Sequence, residues 1–251
     1  RDLHSFPTRR SSDLIYAANW KMNGDLSFVL SILSEIKAEI IPNLSNDSSI
    51  ILCPPFIHLN AVLNETENSS IKIGAQDCSA HQNGAYTGEI SASMIKDIGS
   101  DWVIIGHSER RQYHNENNAL LSQKLIAAEQ SSLKVIFCIG ETHEQYIAGE
   151  TQKILAEQLS AISDIQPSDL EFIIAYEPVW AIGTGLVPTL DEINQVHSFV
   201  KLHLYKITQR SINYPVIYGG SVNPENANQI KALTEVDGVL VGGASLKPDF
   251  K

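Results

Sequence analysis

Five short runs in this 251-residue chain combine residue types able to move protons and hold an anion. They are Asn19-Trp20-Lys21, His107-Ser108-Glu109-Arg110-Arg111, Glu177-Pro178-Val179-Trp180, Gly219-Gly220-Ser221 and Gly242-Gly243. A carboxylate near an imidazole can take a proton from carbon and relay protons between oxygens. An ammonium stabilises the negative charge such a step develops. Glycine-rich turns let backbone N–H groups approach a phosphate closely. Taken singly, each run has an ordinary explanation: Glu177 as a loop carboxylate, His107 as a structural hydrogen-bonding residue, Lys21 as a surface charge, the glycine pairs as tight turns. Their joint meaning depends on whether the fold sets all five on one rim.

The elements needed to do so are present. Short, β-branched runs occur at 14–18, 49–53, 71–74, 102–106, 134–139, 171–175, 215–218 and 238–241, starting about 20 to 45 residues apart, the length of a strand plus a crossover helix. Runs such as VIIG and FIIAY are continuously apolar, as strands buried on both faces should be. Amphipathic stretches at 27–40, 120–129, 150–162 and 190–208 lie between them. In one, Leu155, Leu159 and Ile162 share a helical face that largely leaves out Lys153, Glu157 and Gln158. Asp191 falls in a first helical turn, where the helix dipole favours a carboxylate, while Ser168 and Asp169 open a strand. This alternation predicts an α/β fold, a single closed (β/α)8 barrel, in which active sites form at the C-terminal strand ends. The alternative is a doubly wound sheet with a glycine-rich dinucleotide turn after its first strand, and here that turn reads NWKMNG. Residues 1–14 read as a basic, Ser-rich leader separate from a catalytic domain at 15–251. The eighth helix reads as truncated, which predicts exposed apolar surface on the first and eighth strands.

Composition narrows the function classes. Hydrophobic residues make up 43% and charged residues 19%, enough for a substantial core. The net charge of −11 disfavours nucleic acid and anionic membranes as partners, and an anionic small molecule would need a local positive site. Cys53, Cys78 and Cys138 are scattered, unlike zinc or redox motifs, and suit reduced thiols in a cytoplasmic setting. No apolar run reaches the roughly 18 residues of a membrane helix. No histidine pair has metal-ligand spacing, and no nicotinamide or flavin fingerprint occurs, so neither metal nor cofactor is implied.

The segments AANWKMNG, GAYTGEIS, VIIGHSERR, CIGE, AYEPVWAIGTG, YGGSV and LVGGASLK, from Ile15 to Lys247 and over more than nine-tenths of the chain, resemble in order and spacing the signatures of the triosephosphate isomerase family. The resemblance implies interconversion of glyceraldehyde 3-phosphate and dihydroxyacetone phosphate through an enediolate, with Glu177 as base. It implies that His107 polarises the carbonyl and shuttles protons between oxygens, the family being itself the standard example of a neutral imidazole at a helix start used this way. Lys21 would stabilise the enediolate and attract the phosphate, Asn19 would donate a hydrogen bond, and Gly183, Ser221, Gly242 and Gly243 would offer N–H groups to the phosphate.

Residues 178–188 resemble the family's lid, with Pro178 and Trp180 as one hinge, 181–185 as the tip, and Leu186-Val187-Pro188 as a second hinge stiffened by proline. Residues 76–91 resemble a loop that inserts into a second subunit, implying a homodimer in which Thr87 steadies Lys21. Asp77 stands where the family commonly has Asn, a departure at one interface contact. Cys138, beside Glu141, reads as a packing residue, since no nucleophile-and-base pair surrounds it. Two rivals remain. An aldolase or indole-forming synthase would want a Schiff-base lysine, for which Lys21 is the one candidate. A catalytically silent barrel kept as a binding or scaffold protein has the shortened end in its favour and the intact reactive residues against it.

Overall fold

The computed structural model describes residues 14–163, 165, 171–208 and 214–247. It is a closed barrel of eight parallel strands in sequence order: β1 (Ile15–Asn19), β2 (Ser49–Cys53), β3 (Lys72–Ala75), β4 (Trp102–Ile105), β5 (Lys134–Ile139), β6 (Phe172–Tyr176), β7 (Val216–Tyr218) and β8 (Gly238–Val241). Pairing of β1 with β8 closes the ring. The helices are α1 (Leu26–Glu35), α2 (Leu59–Thr66), α3 (Ala92–Asp97), α4 (Ser108–Tyr113), α5 (Asn118–Gln130), α6 (His143–Ile147), α7 (Thr151–Leu159), α8 (Leu190–Thr208) and α9 (Ala227–Lys231). None among the described residues is long and apolar enough to cross a membrane.

The continuous apolar strands follow from burial on both faces. Ala17, Ile51, Trp102, Ile104, Ile136, Cys138, Ile173, Ala175, Ile217 and Leu240 fill the barrel interior. Their sequence neighbours, including Ala18, Leu52, Val103, Phe137, Ile174, Val216 and Val241, pack outward against the helices. A Cβ on Gly74 would come within 3.0 Å of the Trp102 Cβ, so this glycine makes room for the indole inside the barrel. The two-residue period also sets the rim. Asn19 continues the inward series of Ile15 and Ala17, and Glu177 continues that of Ile173 and Ala175.

Three expectations shift. The first, third and sixth strands sit one residue later than predicted, because register is set by cross-strand partners, with Asn19 opposite Cys53 and Tyr176 opposite Ile139. The helix predicted at 27–40 ends as α1 at Glu35, widens into a π-helical turn over Ile36–Ile40 and tightens into a 3-10 turn over Ile41–Asn43. Pro42, lacking an N–H, cannot continue an α-helical ladder. The first and eighth strands do not carry the predicted open apolar face. Val239, Leu240 and Val241 are buried, Ile15 and Tyr16 are half-buried, and the Lys231 ammonium lies over the Tyr16 ring. After β8 the chain makes a 3-10 turn over Gly243–Leu246. The leader save Leu14, the residues Ser168 and Asp169, and the segment beyond Lys247 that bears on the eighth helix lie outside the described residues.

Candidate active site

Asn19, Lys21, His107, Glu177, Gly183, Ser221, Gly242 and Gly243 all line one cavity of about 280 Å³ at the C-terminal ends of the strands. These are all the residues singled out from sequence as reactive or phosphate-binding. Ile182, Gly219, Gly220, Val222, Leu240, Val241 and Ala244 complete the wall.

Glu177 follows β6 and is 2% exposed. Its Oε2 accepts the Ser108 backbone N–H at 3.1 Å, and its Oε1 lies 3.1 Å from His107 Nε2. Glycine makes this packing possible: a Cβ on Gly140 would sit 1.7 Å from the Glu177 carbonyl oxygen, and one on Gly219 would sit 2.9 Å from its Cγ. His107 caps α4, with Nδ1 accepting the Glu109 N–H at 3.2 Å. A ring nitrogen that accepts an N–H carries no proton, so the imidazole is neutral and its hydrogen sits on Nε2, pointing at Glu177.

Lys21 is held by both backbone and side chain. Its φ of +52° is left-handed, which costs a non-glycine residue energy. The conformation is fixed by the Lys21 N–H donating to Asn19 Oδ1 at 3.0 Å and by Gln76 Nε2 donating to the Lys21 carbonyl at 2.9 Å. Its Nζ pairs with Glu109 Oε1 at 2.5 Å. Glu109 and Gln76 were not singled out as site residues from sequence. Gln76 holds the next inward position beyond β3, the same parity signal that finds Glu177, whereas the Glu109 contact spans 88 residues of chain. The run HSERR also divides. Arg111 donates to the Gly106 and Cys138 carbonyls at 2.8 and 3.0 Å, and Arg110 pairs with Asp77 and Glu116, so both brace the scaffold and neither lines the cavity.

Asp77 is buried, receiving Lys124 Nζ at 2.7 and 2.8 Å and Arg110 at 2.9 Å. Burial pushes its carboxyl up to about 6 against the pull of Lys124. Cys138 lies within β5, and burial next to Glu177 pushes its thiol well above the usual range, as suits a packing residue.

The segment 178–188 leaves the rim through a 3-10 turn, Val179–Ala181. Trp180 Nε1 donates to Glu141 Oε1 at 3.0 Å, and Ser221 Oγ donates to the Ala181 carbonyl. Residues 183–187 are exposed and Pro188 is buried. Residues 83–89 form an exposed excursion closed at its base by the bridge between Ser79 and Ser91.

A buried carboxylate facing a neutral imidazole, a cation beside them and a glycine-lined wall opposite suit proton transfer next to a carbonyl on a phosphorylated substrate. The chain matches the family described as triosephosphate isomerase over residues 14–251. It is 46% identical over 248 residues to a protein of that name from Psychrobacter cryohalolentis, covering 92% of each chain. The triosephosphate isomerase of Herminiimonas arsenicoxydans is 43% identical over 236 residues, covering 93% of this chain and 94% of the relative. That of Psychrobacter sp. strain PRwf-1 is 42% identical over 247 residues, covering 92% and 93%. With this likeness running the length of the barrel, the chain belongs to the triosephosphate isomerase family.

Proposed function

We propose that the chain interconverts glyceraldehyde 3-phosphate and dihydroxyacetone phosphate, a step of glycolysis and gluconeogenesis, with Glu177 moving the carbon-bound proton. The observation that carries this reading is Glu177 Oε1 lying 3.1 Å from His107 Nε2 on the wall of a cavity that Lys21 and Gly242–Gly243 also line. An incoming substrate oxygen competes for the Nε2 hydrogen. Accepting it polarises the carbonyl and frees the carboxylate to turn toward the adjacent carbon. Glu177 removes that proton, Lys21 and the Asn19 amide stabilise the enediolate oxygens, and His107 carries protons between them. Glu177 then returns the proton at the neighbouring carbon. The phosphate sits against the N–H groups of Gly183, Ser221, Gly242 and Gly243, and residues 178–188 close over it, keeping water from an intermediate that would otherwise lose phosphate.

The same reading takes 15–251 as one catalytic domain acting as a homodimer through the loop of residues 76–91, whose tip at 83–89 is exposed, with Thr87 reaching the partner's Lys21. Three buried free cysteines support a reducing, cytoplasmic setting.

A coupled assay of glyceraldehyde 3-phosphate isomerisation, comparing the parent with Glu177→Asp, tests the proposal. Withdrawing the carboxylate by one methylene is expected to lower kcat by about 10² or more while KM changes little. Equal activity in both proteins would remove Glu177 as base. A folded, inactive parent would favour the silent-barrel reading.

A further inference from the structure

Outside the cavity, a chain of contacts joins the two ends of the segment 178–188. Tyr146, on α6, presents its ring face to Trp180, with centroids 4.3 Å apart and planes inclined by 26°. Its hydroxyl donates to Glu192 Oε1 at 2.8 Å. The other oxygen of Glu192 accepts from the Thr189 N–H and hydroxyl, both at 2.7 Å, directly after Pro188. Trp180 is fixed at its edge as well, since Glu141 Oε1 accepts both its Nε1 hydrogen and the Tyr176 hydroxyl. One phenol thus touches the entrance hinge with its face and, through Glu192 on α8, reaches Thr189 beside the exit hinge with its oxygen. The base of this strut is firm: α6 starts on a reciprocal cap between Thr142 and Gln145, immediately after β5. The Thr189 hydroxyl and amide, with Tyr146, hold the Glu192 carboxyl below its usual range, so the acceptor is charged at neutral pH.

We infer that Tyr146 is a positioning residue for the lid: with Glu192 it ties both hinges together and stabilises the outward arrangement, in which 183–187 stand exposed beside the cavity. This rests on the reading of 178–188 as a lid that closes over substrate phosphate. Closure must move Trp180 relative to Thr189, and the strut opposes that movement. Cutting it shifts the population toward the closed arrangement by the strength of one charge-assisted hydrogen bond. Closed-state ligands then bind more tightly and leave more slowly.

The test uses Tyr146→Phe, which keeps the ring and removes the hydroxyl, together with Glu192→Gln and the double variant. The probe is 2-phosphoglycolate, a carboxylate mimic of the enediolate, with its affinity and dissociation rate measured alongside kcat and KM. Tyr146→Phe is expected to bind the probe about three- to tenfold more tightly and release it correspondingly slowly. Both kcat and KM should fall while their ratio stays within about twofold, as a shift toward closure requires. A residue that merely supported the fold would lower the melting temperature and weaken the probe. The double variant should match the tighter single variant, because both substitutions cut one connection. Unchanged or weaker probe binding in a folded Tyr146→Phe protein overturns the inference, and so does strict additivity in the double variant. Should Tyr146→Phe fail to fold, Glu192→Gln must still tighten the probe, and unchanged binding there overturns the inference equally. A parent that isomerises and binds the probe, paired with an unresponsive Tyr146→Phe, sinks the strut alone. A parent that does neither sinks the functional reading along with it.

Discussion

Asn19, His107 and Glu177 are 5%, 5% and 2% exposed and are held by hydrogen bonds at their side chains, whereas Gly183 is exposed and Gly243 has no atom within 4 Å of where a Cβ would point. The first end of the cavity is made of side chains locked by hydrogen bonds, local ones at Asn19 and His107 and one across strands at Glu177. The second is made of backbone, with space left for a ligand. Proton transfer at carbon tolerates errors of only a fraction of an ångström, so its groups must be placed before substrate arrives. A phosphate is bound by several equivalent N–H donors, and these can be completed by a segment that moves. Order on one side and openness on the other thus follow from what each end has to hold.

The contrast can be broken or sharpened by substitution. The largest effect belongs to the locked end: Glu177→Asp should act on kcat by orders of magnitude. At the open end, Gly243→Val should act on binding instead, raising KM about thirtyfold or more by filling the space for the phosphate, with kcat within a few-fold. A fall in kcat at constant KM there would show that the two ends are not separable. Glu109→Gln should come next, because it weakens the hold on Lys21 while leaving the cavity wall in place. We expect a loss of about tenfold in kcat/KM, moderated by the partial exposure of the pair. No change would mean that the backbone bonds from Asn19 and Gln76 suffice to place the ammonium. The few-fold effects expected of Tyr146→Phe follow.

The smallest effect on catalysis is expected behind the rim, at His197, which is fully buried on α8 against Tyr176 and Tyr218. Burial, reinforced by the Lys201 charge, pushes this imidazole down to about 3. The unfolded chain binds a proton near 6.5 and the folded chain does not, so the contribution of His197 to stability is complete above about 6.5 and declines as pH falls toward 3. His197→Phe should leave kcat at pH 7 within about twofold. It should also flatten the acid limb of a stability–pH curve, where the parent loses up to about 5 kcal/mol from this group. An unaltered acid limb would assign acid sensitivity elsewhere, for instance to Glu116. Burial pulls that carboxyl upward, but Lys124 and Arg110 hold it below its usual range.

Much of the site was legible in the residue order, for a reason that lies in strand geometry. Active sites of closed barrels form at the C-terminal strand ends, so Glu177 and Asn19 could be placed on the rim from the apolar runs before them, and the barrel showed that both continue the inward series of Ile173, Ala175, Ile15 and Ala17. The glycine pairs after β7 and β8 were legible because few other residues allow such close approach. The pairing of Lys21 with Glu109, the diversion of Arg110 and Arg111 into the scaffold, and the Tyr146–Glu192 connection were not legible. Each joins elements far apart in sequence through long side chains whose direction depends on neighbouring packing. Strand ends were misplaced by one residue for the same reason, since register belongs to the pair and not to either strand.

The sequence by itself determined the alternation of strands and helices, the placing of the reactive residues at strand ends and the membership of a family, because these depend on local periodicity and residue type. Only the tertiary structure decided which charges meet, that His107 Nε2 faces Glu177, and how the two ends of residues 178–188 are connected. Those outcomes depend on distances between strand ends that no local pattern encodes, and the closure of the barrel sets them all at once.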